Sequence, residues 1–146
     1  MRKQLTDRWS IDLDGEYISR VVGHNLQLAA PGRTMWIAVW NLPEDRAPEV
    51  TLGGVKRELP NPSPGGSVEE WSDDRLEVRY ASWYPEPSDR GTQYSLYGYT
   101  IRRGSWVQAA LISDSPSDTE WALSVWRSLM YQSPSAWMRT ARADST

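Results

Sequence analysis

Few residues in this sequence could carry out acid–base or nucleophilic chemistry. There is one histidine, His24, and there are no cysteines. A catalytic histidine needs a positioned partner, whereas His24 stands between Gly23 and Asn25 in what the pattern predicts to be a tight hairpin turn. The lack of cysteine excludes a thiolate metal site, a cysteine nucleophile and a disulfide framework. We interpret His24 as a turn residue and predict no catalytic residue.

The carboxylates occur as adjacent pairs, Glu44-Asp45, Glu69-Glu70 and Asp73-Asp74. Neighbouring side chains of an extended chain point to opposite sides, and no pair has the spacing of a calcium loop. We therefore predict solvated charges and no metal site. Two carboxylates facing each other across a cleft could still hydrolyse a glycosidic bond, and tryptophan-rich sheets can stack sugars. A carbohydrate-active or other hydrolase is kept as a distant alternative.

The glycine and serine patterns do not add a reactive site. The pairs Gly53-Gly54 and Gly65-Gly66 lack the lysine or helix start of a phosphate-binding loop. No serine stands in a Gly-x-Ser-x-Gly elbow. The sequence predicts no cofactor, and we expect the protein not to be an enzyme.

The length and the charge of the chain narrow the kinds of protein that it could be. A chain of 146 residues is the size of one domain and can fold without metal or disulfide. The formal charge is −3 with no basic run, so nucleic-acid binding is not predicted. No segment approaches the ~20 apolar residues of a membrane span, and no apolar signal segment is visible. We predict one cytoplasmic domain over residues 1–146, without membrane insertion, with flexible ends at 1–8 and 139–146.

The elements that would position a site are mostly short strands. Trp9, Ile11 and Leu13 alternate with polar residues, and two hairpins follow before the most apolar stretch, residues 34–40. Both faces of this stretch are apolar, although a strand with one wet face should alternate apolar with polar residues. We expect both of its faces to be covered.

The residue pattern in the second half of the sequence predicts three strands between residues 76 and 112, followed by a helix. Gly98 in the middle strand suggests a bulge or the close approach of another backbone. Ser117 and Glu120 fit a capping box at the start of the helix. The buried stripe of that helix is predicted to consist of Ala122, Val125, Trp126 and Leu129.

The region between residues 42 and 74 is rich in proline and glycine. Its segment 50–59 could be a strand, a short helix or irregular structure, and the Gly53-Gly54 pair counts against a stable helix. The flanking halves are too small to close separate cores, so we predict no domain boundary here.

Together these patterns predict an α+β domain with a single antiparallel sheet of about six strands and a C-terminal helix packed on one face. One helix covers one face, and nine tryptophans with seven tyrosines leave a surplus of aromatic side chains. Monomers rarely expose large apolar patches without a use. The residues predicted to bind a partner are Trp36, Trp40, Trp83, Tyr97, Tyr99 and Trp106.

The end of the chain resembles the PsbP/Mog1/DcrB-like superfamily. The resemblance rests on Tyr99-Thr-Ile-Arg-Arg-Gly-Ser-Trp-Val-Gln-Ala-Ala, a polar break, and Trp121-Ala-Leu-Ser-Val-Trp-Arg-Ser-Leu. The central region 42–74 departs from the helix usual there. The resemblance implies non-enzymatic work, since members bind photosystem subunits, a nuclear-transport GTPase or, in a bacterial effector-chaperone branch, hydrophobic helices in the sheet groove of a dimer.

Two functions follow as hypotheses. The first is a protein-binding module or chaperone-like adaptor that receives a protein partner, or a second copy of the chain, on an aromatic sheet face. The second is an immunity protein that neutralises a bacterial toxin through loops and an acidic edge at residues 69–74. Trp36 and Trp40 discriminate between them, because their loss abolishes partner capture only in the first.

Overall fold

The computed structural model describes residues 1–58, 67–73 and 76–132, which form ten strands, two α-helices and a 3₁₀ turn. In chain order the elements are β1 Arg2–Gln4, β2 Trp9–Asp12, β3 Ile18–Val22, β4 Asn25–Ala30, β5 Arg33–Asn41, α1 Pro48–Glu58, β6 Ser67–Asp73, β7 Glu77–Ser88, β8 Gly91–Arg102, β9 Ser105–Ser113, the 3₁₀ turn Pro116–Asp118, α2 Thr119–Arg127 and β10 Met130–Tyr131.

The described strands form two antiparallel sheets. A seven-stranded sheet has the order β3-β4-β5-β9-β8-β7-β6, and a three-stranded sheet has the order β1-β2-β10. The prediction of one sheet of about six strands is therefore wrong, whereas the α+β class and the C-terminal helix are confirmed. The sequence conceals the extra strands because β1 is polar, β10 has two residues, and β6 lies in the stretch where the alternation stops.

The larger core lies between the seven-stranded sheet and a second layer built from β2 and α2. Trp9, Ile11 and Leu13 are all buried in it, as their alternation predicts. The predicted stripe of α2 is confirmed, since its four members are buried in the same cluster. Within residues 1–8, for which the polar composition predicts a flexible start, the structure has strand β1, which pairs with β2. The other predicted flexible end, residues 139–146, lies outside the described residues.

Gly98 allows α2 to sit directly on the sheet. The register of β8 with both neighbours is continuous through Gly98, so there is no bulge. A Cβ at Gly98 would lie 2.5 Å from Cδ1 of Trp126. The close approach predicted at this glycine is thus made by an indole ring and not by another backbone.

The opposite face of the sheet is packed against α1, which resolves the open choice for residues 50–59 in favour of a helix. Pro48 begins α1, where its missing N–H costs nothing, and Lys56 and Arg57 complement the dipole in the last turn. Leu52 is buried in a second cluster with Val78, Tyr99 and Ile101. The packing of Leu52 and Val55 of α1 against the sheet outweighs the low helix propensity of the glycine pair.

The start of α2 differs from the predicted capping box. Asp118 occupies the N-cap position of α2 without making a side-chain cap hydrogen bond. Its carboxylate instead accepts hydrogen bonds from Arg33, at 3.0 and 3.1 Å, and from the Ser113 hydroxyl. Asp118 therefore ties the helix start to the ends of β5 and β9. No helix in the described part of the chain combines the length and hydropathy needed to cross a bilayer.

Candidate partner-binding surface

Five of the six predicted partner-binding side chains lie on the sheet face that carries α1. Trp36 lies opposite Ala110 on β9, and Ala110 lies opposite Tyr97 on β8. Four residues farther along β5, Trp40 lies directly opposite Trp106. Directly opposed residues of antiparallel strands share a face. We call the set Trp36, Trp40, Tyr97 and Trp106 the aromatic face.

The members of the aromatic face are only partly covered by the described chain. Trp40 is 39% exposed, and the other three are half-buried. Tyr99, by contrast, is 6% exposed because it lies under α1 beside Leu52. Its ring stacks on Trp106 at a centroid distance of 5.8 Å, which joins the aromatic face to the cluster under the helix.

Among the described residues, the part of this sheet face that no helix covers lies beside α1, which contacts β7 and β8. The strands β3, β4, β5 and β9 lie farther across the sheet. At about 4.8 Å between strands, they span roughly 14 Å. An α-helix with side chains is about 10–12 Å wide. The area beside α1 therefore has the width of one further helix, with the aromatic face as its floor.

Polar amides border the tryptophans of this floor. Gln27 of β4 lies directly opposite Trp36, and the exposed Gln108 lies between Ala110 and Trp106 on β9. His24, at the predicted turn between β3 and β4, places its ring 5.9 Å from that of Trp40 at a tilt of 42°. Aromatic rings with polar neighbours are typical of interface cores. The sequence pattern did not reveal these bordering residues, since only the register brings them beside the tryptophans.

Trp83 is the predicted partner-binding residue that the structure places elsewhere. It is 5% exposed, belongs to the core beneath α2, and lies next to Tyr94 with ring centroids 6.2 Å apart. Because Trp83 pairs with Leu96, it occupies the sheet face opposite Trp36. We therefore remove Trp83 from the set that could contact a partner.

A group of polar side chains lies on the α1 side of β7 and β8. Among the described residues, the hydroxyls of Ser82, Tyr84 and Ser95 and one carboxylate oxygen of Glu86 are buried without a hydrogen-bond partner. Burial, with a smaller contribution from the Glu86 carboxylate, raises the pKa of Tyr97 far above its usual range. Burial likewise raises the pKa of Tyr84. Both phenols are neutral at physiological pH, so the surface beside them carries no phenolate.

In the predicted acidic edge, residues 69–74, the carboxylates that the structure describes are those of Glu69 and Glu70, and both form ion pairs within the chain. Residue 74 lies outside the described part of the chain. Glu69 pairs with Arg127 of α2, and this contact holds the pKa of Glu69 below its usual range. Glu70 pairs with Lys56 of α1 at 2.9 Å. Neither carboxylate is therefore a free charge in this structure.

The described residues contain no group of three or more histidine, aspartate or glutamate side chains placed to hold a metal ion. Arg79, beneath α2, donates to Glu77 at 2.8 Å and to the backbone oxygens of Arg127 and Leu129. This arginine closes the C-terminal end of α2 against the sheet. The contact is structural, and we assign Arg79 no catalytic role.

No family model and no curated protein matches this chain. Among solved structures, it is similar to cyanobacterial PsbP (CyanoP) from Synechocystis sp. PCC 6803, with a TM-score of 0.61 and 15% identity over 90% of this chain and 92% of that one. It is also similar to a protein from Bacteroides thetaiotaomicron VPI-5482, with a TM-score of 0.63 and 10% identity over 86% of this chain.

This chain spans about half the length of the Bacteroides protein, of which 46% is covered. At such identities the likeness concerns the fold and leaves the activity open. The match to the cyanobacterial protein covers nearly the whole of both chains and agrees with the resemblance noted at residues 99–110 and 121–129. The chain has a PsbP-like fold.

Proposed function

We propose that the chain is a non-enzymatic protein-binding module, or chaperone-like adaptor, whose aromatic face receives an amphipathic helix of another protein. The observation that carries this proposal is the partial exposure of the aromatic face beside α1. Tryptophan and tyrosine contribute large contact areas and retain a polar atom that can bond at a wet border. They are also the residue types that most often dominate binding energy at interfaces.

The shape of the surface favours a helix as the bound segment. Helices packed on a sheet lie side by side about 8–10 Å apart, which is the separation of two strands. A helix placed beside α1 at that spacing would lie over β9 and β5, where Trp36, Trp40 and Trp106 stand. The bordering side chains are mainly amides, so the segment that fits has an apolar stripe and needs no compensating charge.

The immunity-protein alternative remains a prediction that no specific contact favours. It assigns recognition to the acidic edge, where Glu69 and Glu70 already have cationic partners within the chain. An external cationic surface would have to displace Arg127 and Lys56. We therefore rank the immunity-protein hypothesis below partner binding at the aromatic face.

The experiment compares wild type with the double variant Trp36→Ser/Trp40→Ser. A partner captured by the immobilised wild-type chain is identified, purified, and its binding measured by calorimetry. Because buried interface tryptophans each contribute about 2 kcal/mol or more, we expect the variant to bind at least roughly 30-fold more weakly. The fold should be retained, since Trp40 is 39% exposed and Trp36 is half-buried.

Two control variants make the result specific. Leu76→Ser removes a large apolar side chain that is 57% exposed outside the aromatic face, and it should bind as wild type does. Glu69→Lys tests the alternative, which predicts a loss of binding where our proposal predicts none. Unchanged affinity of the tryptophan variant, with a native circular dichroism spectrum, would refute the proposal.

A further inference from the structure

The seven-stranded sheet ends at β3, an edge strand that is unusually open. All five residues of β3 are exposed, and no strand of the described chain pairs with its outer side. Ile18 is 79% exposed, Val21 75% and Val22 40%. Apolar side chains therefore stand in water on both faces of one short strand.

The other edge of the same sheet is protected by charge. On β6, Glu69 is paired with Arg127 of α2, and Glu70 is paired with Lys56 of α1. Folded proteins commonly protect edge strands with charges, bulges or proline, because an open edge is a template for pairing. β3 has no proline and one charged residue, Arg20. The two edges of the sheet therefore differ, and β3 is the one without such protection.

The backbone of β3 is set for such pairing. A two-residue turn, with Gly23 at φ +61°, joins Val22 to Asn25, and in such hairpins the flanking residues form a hydrogen-bonded pair. Backbone groups alternate in direction along an antiparallel strand. Those of Ser19 and Val21 therefore point away from β4, toward an incoming strand.

When two copies of this edge are placed antiparallel, the charges of one copy can face opposite charges of the other. Glu16 lies two residues before Ile18, with which it lines one shallow cleft, and Arg20 lies two residues after. If Ile18 faces Ile18 of a second copy, Glu16 of each copy faces Arg20 of the other. A register shifted by two residues would place Arg20 opposite Ile18 and lose both charge pairs, and one shifted by four would oppose two Arg20 side chains, which is unfavourable.

We propose that the chain self-associates at this edge, where residues 16–20, which are the start of β3 and the two residues before it, pair antiparallel in two copies about a two-fold axis at Ile18. The axis is perpendicular to the sheet, so the pair forms one continuous fourteen-stranded sheet. Both aromatic faces then lie on the same side of that sheet. Strand pairing buries less surface than a permanent interface, so the association is weak and depends on concentration.

The test measures self-association by sedimentation equilibrium across micromolar concentrations, for which the monomer mass is 16.7 kDa. Wild type should shift toward twice that mass as concentration rises. Glu16→Arg and Arg20→Glu should each weaken self-association about tenfold or more, because each replaces two attractive pairs with repulsive ones. Mixing the two variants in equal amounts should restore pairing as a heterodimer. Both substitutions lie on exposed residues, and circular dichroism verifies that the variants fold.

Ser19→Pro provides a test that does not depend on charge. It removes an N–H that points away from β4, so it should abolish self-association and leave the β3–β4 hairpin intact. A wild-type chain that stays monomeric at every concentration would overturn the proposal, as would charge variants that do not complement each other. The Trp36→Ser/Trp40→Ser variant should dimerise like wild type. If it does not, the contact lies on the aromatic face and the β3 assignment is wrong.

Discussion

Gly98 and Trp126 are the residue pair on which the seating of α2 depends. A Cβ at position 98 would overlap the indole, at 2.5 Å from Cδ1, and Trp126 is only 1% exposed. We predict that Gly98→Ala destabilises the protein by about 1–3 kcal/mol, because neither the ring nor the strand can move freely. Urea unfolding followed by circular dichroism measures this change.

Gly98→Ala made in a Trp126→Leu background controls for the change in β-strand propensity that alanine brings in place of glycine. Leucine removes the ring edge that the new methyl group would strike, so Gly98→Ala should cost less there than in wild type. Equal costs in the two backgrounds would mean that the indole does not rest on Gly98.

Asp118 links the folding free energy to pH. Its hydrogen bonds from Arg33 and Ser113 hold the pKa of this carboxyl below its usual value near 4. A lowered pKa in the native state stabilises the fold above the unfolded value, and that contribution is lost as pH falls through the native value. We predict that Asp118→Asn lowers stability by about 1–2 kcal/mol at neutral pH.

The difference between Asp118→Asn and wild type should begin to shrink as pH falls below about 4, and it should vanish at a lower pH, where the carboxylate of the folded wild type is protonated as well. Thermal unfolding at a series of pH values measures it. The exposed neighbour Asp114, changed to Asn, serves as the control for replacing a carboxylate near this helix start, and we expect it to change stability less than Asp118→Asn does at neutral pH. A pH-independent difference for Asp118→Asn would contradict the ion-pair account.

Helix α1 illustrates, at the scale of an element, how packing overrides propensity. Gly53 and Gly54 lower its intrinsic stability, yet Leu52 and Val55 pack it against the sheet. An added Cβ at Gly53 would meet nothing within 4 Å. We predict that Gly53→Ala raises stability by about 0.5–1 kcal/mol, or Tm by roughly 2–4 °C, as thermal unfolding can measure.

Gly23→Ala is the matched control for this helix prediction. A Cβ there also meets nothing within 4 Å, but Gly23 has φ +61°, which side chains other than glycine rarely adopt. The two substitutions should therefore change stability in opposite directions. Stabilisation by both would show that backbone conformation is not the deciding factor.

At the scale of the whole molecule, the layers decide which aromatic residues are core and which are surface. The β2 and α2 layer covers one face of the seven-stranded sheet and buries Trp83. The other face carries only α1 among the described helices, so Tyr99 is buried whereas Trp36 and Trp40 remain partly exposed. The two sheet edges also differ, since among the described residues α1 and α2 supply charge partners to Glu70 and Glu69 of β6 and none to β3.

The sequence alone determined the α+β class, the strands of alternating residues and the stripe of α2, because these depend on local periodicity of side chains. It also showed that one helix could not cover all the aromatic residues. Helix α1 remained one of three alternatives for residues 50–59, since its stability comes from contacts with Val78 and Ile101 that are distant in sequence. The same holds for Trp83, whose side of the sheet depends on strand order and register. Only the tertiary structure decided which tryptophans are buried and which stay partly exposed, because burial is fixed by what packs above each strand.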